Sequence, residues 1–223
     1  MLFSLPSSYA QFLPDLQAKT PAEYDAYLDV LDGPVLEKGA AFERNFPASA
    51  LRLPVCELLT RSWREKGDAA RAIQSASAGL AIAPDYIPLL VDLADLAANT
   101  SSSLLDRAET AANRALTLLE NAKAPRRIPA QAWIAAVGAL RARAHASLGL
   151  IRFKREDLTG AVKEFETALL QQSTESPAIH YRLGRLYAIS GKKPEARRHL
   201  QQAALHGAPP LRDLANAALR DIN

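Results

Sequence analysis

Four histidines, three acidic pairs and one cysteine are the residues of this chain whose chemistry could be catalytic or metal-binding. Imidazole is the commonest general base and metal ligand, which puts His145, His180, His199 and His206 first. His199 and His206 are seven apart on one predicted helix, too far to share an ion, and no third ligand lies near them in sequence. The pairs Asp25/Asp29, Asp92/Asp95 and Glu164/Glu166 invite a general acid and base reading, but such pairs on helices usually form solvated faces. Cys56 stands alone, so it can form no disulfide within the chain and carries no metal-site signal. No P-loop, GxGxxG, GxSxG, HExxH or CxxC occurs, which removes the common signatures of phosphate, dinucleotide, nucleophile and zinc chemistry. The chain is therefore expected to be a non-enzyme with no cofactor, no metal and no small-molecule substrate.

The elements that would position these residues are helices. Alanine and leucine dominate the 223 residues while β-branched types are sparse, so most segments favour helix on propensity alone. The formal net charge of +3 hides an asymmetry: residues 1–120 hold 10 Lys+Arg against 16 Asp+Glu, and residues 121–223 hold 17 against 8. Such a split can steer a charged partner, although chance imbalance between two solvated surfaces would look the same. No stretch approaches the roughly 18 apolar residues that a membrane helix requires, and a soluble body is expected. Residues 1–19 read as an extension: Leu2, Phe3 and Leu5 followed by Ser8, Tyr9 and Ala10 resemble the end of an export signal cleaved before Gln11. That favours a periplasmic location over a cytoplasmic one; a frayed N-terminus is the alternative.

Superposing the chain on itself reveals a repeat. Residues 58–84, 147–173 and 182–208 each carry a leucine and a small residue late in one helix, a turn, then small, bulkier and small residues four and three apart. This pattern resembles the tetratricopeptide repeat family, bacterial type, whose 34-residue unit has large residues at positions 4, 7, 11 and 24 and small ones at 8, 20 and 27. A repeat from Leu53 places Cys56, Leu59, Thr60, Trp63, Ala72, Ala76 and Gly79 on those positions. A repeat from Ala142 places His145, Leu148, Gly149, Arg152, Ala161, Phe165 and Ala168 there, and one from Pro177 places His180, Leu183, Gly184, Tyr187, Ala196, Leu200 and Ala203. A fourth copy from Ile87 fits with two extra residues in the polar turn 99–103. Small residues at positions 8 and 20 let two antiparallel helices approach, as Ala161 would face Gly149. In this register His145 and His180 occupy core positions.

The resemblance implies an all-α fold, a right-handed superhelix of antiparallel helix pairs, with one domain over residues 20–223. It would comprise a degenerate hairpin at 20–48, repeats near 53–86, 87–122, 142–176 and 177–208, and a capping helix at 209–222 whose apolar stripe is Leu211, Leu214, Ala215, Ala218, Leu219 and Ile222. A helix from Gln131 to Ile151, longer than a repeat helix, interrupts the array. The family's first helices line a concave groove, and here they would offer Glu57, Arg61, Arg64, Asp95 and Asn99, then Arg143, Leu150, Phe153, Lys154, Tyr181, Arg185 and Ile189. The implied function is a scaffold or adaptor that binds a protein or peptide partner in that groove, with Tyr181, Phe153 and Arg185 as anchors. Glu57, Arg61 and Asp92 occupy places where carboxylate-clamp members carry lysine and asparagine, which argues against a chaperone tail. The alternative is nucleic-acid or anionic-surface binding through Arg126, Arg127, Arg141, Arg143, Arg152, Lys154, Arg155, Arg182 and Arg185.

Overall fold

A computed structural model describes residue 12 and residues 16–126, 128–171 and 176–222; the export-like motif around Ser8 to Gln11 and the basic residue Arg127 lie outside them. The chain divides into two compact units, residues 1–128 and 129–223. Among the described residues all regular structure is helical. The first unit holds α1 (Pro21–Asp32), α2 (Val35–Asn45), α3 (Arg52–Glu65), α4 (Ala69–Ile82), α5 (Ile87–Thr100) and α6 (Leu105–Glu120). The second holds α7 (Ala130–Lys154), α8 (Leu158–Gln171), α9 (Pro177–Ile189), α10 (Lys193–His206) and α11 (Pro209–Asp221).

Local chemistry sets the helix ends. Thr20 accepts the Glu23 amide at 3.1 Å while the Glu23 carboxylate accepts the Lys19 amide at 2.7 Å, a reciprocal cap that starts α1. The same buried carboxylate accepts the Ser49 hydroxyl, tying the start of α1 to the loop before α3. Asp68 caps α4 through the Arg71 amide at 3.0 Å, and Asp157 caps α8 through the Gly160 amide at 2.8 Å.

Three repeats close their hairpins identically. The amides of Asp68, Asp157 and Lys192 each bond the carbonyl five residues back, Trp63, Arg152 and Tyr187, at 2.9 Å. This geometry needs a left-handed residue just before the donor. Gly67 (φ 76°) and Gly191 (φ 73°) provide it without strain, whereas the second unit's first turn uses Glu156 at φ 63°. Between α5 and α6 the two-residue insertion becomes a single 3-10 turn, Ser102–Leu104, and Ala108, Ala112 and Ala115 behind it are fully buried.

In both hairpins of the second unit the glycine at position 8 lies under a large residue at position 24. A Cβ on Gly149 would sit 2.9 Å from the Phe165 ring, and one on Gly184 would sit 2.6 Å from Leu200. Gly149 therefore makes room for Phe165, one turn from Ala161, because the ring and not the alanine fills the space that the glycine leaves. In the second unit Ala161, Phe165, Leu183, Leu186 and Leu200 form one core with Ala218 and Ile222 of α11. Leu214, assigned above to the packed stripe of that helix, instead remains 53% exposed; Ala215 and Ala218 make the contact because they let the helix approach closely.

One expectation about membranes is corrected. α7, at 25 residues, is long and apolar enough by length and composition to cross a membrane. Its second half owes that apolarity to the core, since Leu140, Ala144, Leu148 and Ile151 are fully or nearly fully buried and α8 packs against the helix, whereas Ile134 in its first half is 61% exposed.

Candidate functional site

The first-helix residues fall into two sets, one per unit. In the first, Glu57 is not available as a groove side chain. It is buried and accepts the Tyr86 hydroxyl at 2.6 Å, and burial together with that carboxylate pushes the Tyr86 phenol far above its ordinary range. Arg64 donates to Asp92 at 2.7 Å and lies 3.7 Å from Asp95, so α3 and α5 are joined by a guanidinium between two carboxylates. Asp92 and Asp95 are thus not a solvated pair: Asp92 is buried because Arg64 compensates it. Asn99 is exposed and donates back to the Asp95 carbonyl at 2.7 Å and to its side chain at 2.9 Å. Arg61 is exposed.

In the second unit Phe153 is 40% and Ile189 is 55% exposed, at the C-terminal ends of α7 and α9. Lys154 and Leu150 are half-buried on α7 beside Phe153 in sequence, as is Arg143 two turns earlier. On α9 the exposed Arg185 donates to the Tyr181 hydroxyl at 3.3 Å, one helical turn away. Leu150, Tyr181 and Ala188 also pack against the unit's core from the side. Arg143 and Lys154 thus share α7 with the exposed Phe153, and Tyr181 and Arg185 share α9 with the exposed Ile189.

The histidines are placed differently from the sequence expectation. His145 and His180 are half-buried and hydrogen-bonded, where a fully packed core role was expected. His145 Nδ1 lies 2.8 Å from Glu164, and His180 Nδ1 lies 2.9 Å from His199 Nδ1. Both partners occupy position 23 of their repeats, so a polar pair nineteen residues apart recurs in two successive hairpins, a spacing that the aligned repeats display in the sequence itself. His199 is buried, stacks on Tyr187 at 5.6 Å and is held down at about 4 by burial, then by His180 and Arg198. Tyr187 donates to Glu166, and burial followed by that carboxylate pushes its phenol up to about 12. Glu164 and Glu166 therefore each serve a different partner. Among the described residues no group of three or more His, Cys, Asp or Glu side chains comes together as a metal cage.

No family model matches the chain, and no curated protein matches its sequence. Solved structures do match. The chain is similar to the APC/C hetero-tetramer Cut9-Hcn1, with a TM-score of 0.63 and 18% identity over 87% of this chain, and it spans only 35% of that longer chain. It is similar to a thermophilic TPR protein of Thermus thermophilus, with a TM-score of 0.60 and 17% identity, covering 89% of this chain and 99% of that one. A MamA double mutant matches with a TM-score of 0.51 and 17% identity over 91% and 97% of the two chains. At such identities the likeness carries the fold: this is an all-α chain of helical hairpins of the tetratricopeptide-repeat type.

Proposed function

We propose that this chain, built on a tetratricopeptide-repeat-like fold, is a non-catalytic adaptor that binds a polypeptide partner on first helices of its repeats within one unit. The second unit is the better surface. The observation that carries the reading is the pair of large apolar side chains, Phe153 and Ile189, left exposed on α7 and α9 with Lys154 and Arg185 in the same segments. Exposed apolar groups ringed by charge mark interaction sites, and aromatics with arginine supply most of the energy in such interfaces. Residues 129–223 hold 14 Lys+Arg against 8 Asp+Glu, so an acidic segment with bulky apolar residues is the complementary partner. In the first unit Arg61 and Asn99 are the exposed members of the set, and Arg64 with Asp95 is committed to joining α3 and α5.

Pull-down of partners by the wild type beside Tyr181→Ala/Arg185→Glu, quantified by mass spectrometry, tests this. Recovery of at least one protein should fall by about thirtyfold, the loss of a single hot spot. Identical partner sets at identical yield from both forms would rule the surface out. The same basic excess supports a second reading, binding of RNA or another polyanion; a salt titration that shows no RNA binding at low ionic strength removes it.

A further inference from the structure

A cleft of about 460 Å³ lies in the first unit between α2 and α4, with α3 as its floor. Its length follows α3 from Arg52 to Trp63, eleven residues or about 16 Å. Because consecutive helices run antiparallel, Arg44 near the end of α2 meets Arg52 near the start of α3 at one end of the cleft. At the other end Arg71, near the start of α4, lies over the Trp63 ring at 4.5 Å. Ala40 and Leu59 line the stretch between, and the alanine leaves it open.

The two ends are short of acceptors. Arg52 donates to the Pro47 carbonyl at 2.9 Å and faces Glu43 at 3.6 Å, but its buried Nε has no hydrogen-bond partner. A guanidinium offers five donors, and an unmet buried one is costly. Glu43 is shared with the Cys56 thiol at 3.5 Å. Arg44 is exposed and makes no ion pair among the described residues, and Arg71 has only Asp68 at 3.4 Å. Three guanidiniums thus face two carboxylates, with an apolar floor between the cationic ends.

We infer that this cleft is a second polypeptide site, distinct from the second-unit surface proposed above, for an extended acidic segment with two carboxylates flanking a bulky apolar side chain. An extended chain rises about 3.3 Å per residue, so about five residues span the two ends. One carboxylate docks at Arg44 and Arg52, the other at Arg71, and the apolar side chain lies on Leu59 over Ala40. A ligand with a single anionic group would satisfy one end only, which is why the spacing points to a peptide.

The test is fluorescence anisotropy with a fluorescein-labelled five-residue peptide carrying glutamate at both ends and leucine at the centre. The wild type should bind it at low salt. Arg44→Glu should weaken binding by at least about tenfold, and Ala40→Phe, which fills the middle of the cleft, should abolish it. Circular dichroism checks that both variants stay folded; Arg44→Glu decides alone if Ala40→Phe does not. Tyr181→Ala/Arg185→Glu should bind the peptide as the wild type does, which separates this site from the surface proposed above. Absence of binding, equal binding of the glutamine-ended peptide, or sensitivity to the Tyr181/Arg185 variant with none to Arg44→Glu overturns the inference. Displacement by octanoate at the affinity of the unlabelled peptide overturns it too, since it reveals a single-anion site.

Discussion

The imidazoles of His180 and His199 share one proton across 2.9 Å, a contact that survives only while at least one ring is neutral. His199 is held at about 4 by burial and by the neighbouring His180 and Arg198, with Glu166 opposing them weakly. In the unfolded chain the same group takes its proton near its ordinary value of 6.5. Between those values the unfolded state binds more protons, so the stability that this group contributes is intact above about 6.5 and is lost as pH falls toward about 4. The loss should be on the order of 2 kcal/mol. Urea unfolding followed through that window should show the wild-type midpoint falling with acidity and His199→Gln falling less. A wild-type midpoint that does not move would contradict the assignment. Cys56 behaves in the opposite sense, because burial first and Glu43 second raise its thiol to about 12. At neutral pH it is a small apolar core residue, in keeping with its packed repeat position.

At the scale of the helical hairpin, the left-handed turn residue separates otherwise equivalent repeats. Gly67 and Gly191 occupy it freely, and Glu156 adopts φ 63° against the preference of a residue bearing a Cβ. Glu156→Gly should stabilise the second unit by about 0.5 kcal/mol, the relief of strain less the extra freedom given to the unfolded chain. A thermal midpoint that falls instead would indicate that the Glu156 side chain makes a contact of greater worth. These hairpins were the most legible part of the sequence, since the small residues at positions 8 and 20 are a steric demand of the helix pair itself. Their exact partners were not. Spacing pairs Gly149 with Ala161, yet the ring of Phe165 fills its space, because side-chain reach is not visible in spacing. The burial of Glu57 escaped for another reason. Its partner Tyr86 is 29 residues away at the start of the next hairpin, so the bond exists only once two repeats are stacked.

On the scale of the whole chain, the link between the units is Asn121 to Pro129, which follows α6 and precedes α7. Lys123 and Arg126 lie in it outside any helix, and Lys123 is exposed. Trypsin under native conditions should cut there first, and both products should remain helical by circular dichroism, since each unit has a core of its own. Early cleavage within α3 or α9 instead would contradict that division. The residues of the candidate surfaces were only partly readable from sequence: register selects which side of a first helix faces outward, as at Phe153 and Ile189, but a hydrogen bond from Tyr86 then withdraws Glu57 and an ion pair with Asp92 engages Arg64. The two tryptophans are also divided between the units, Trp63 in α3 and Trp133 in α7. Indole emission from a Trp133→Phe chain therefore arises wholly from the first unit, where the Arg71 cation sits over the ring, and that from Trp63→Phe arises wholly from the second. The pair supplies a native spectroscopic probe for each half, able to report which one melts first without any attached dye.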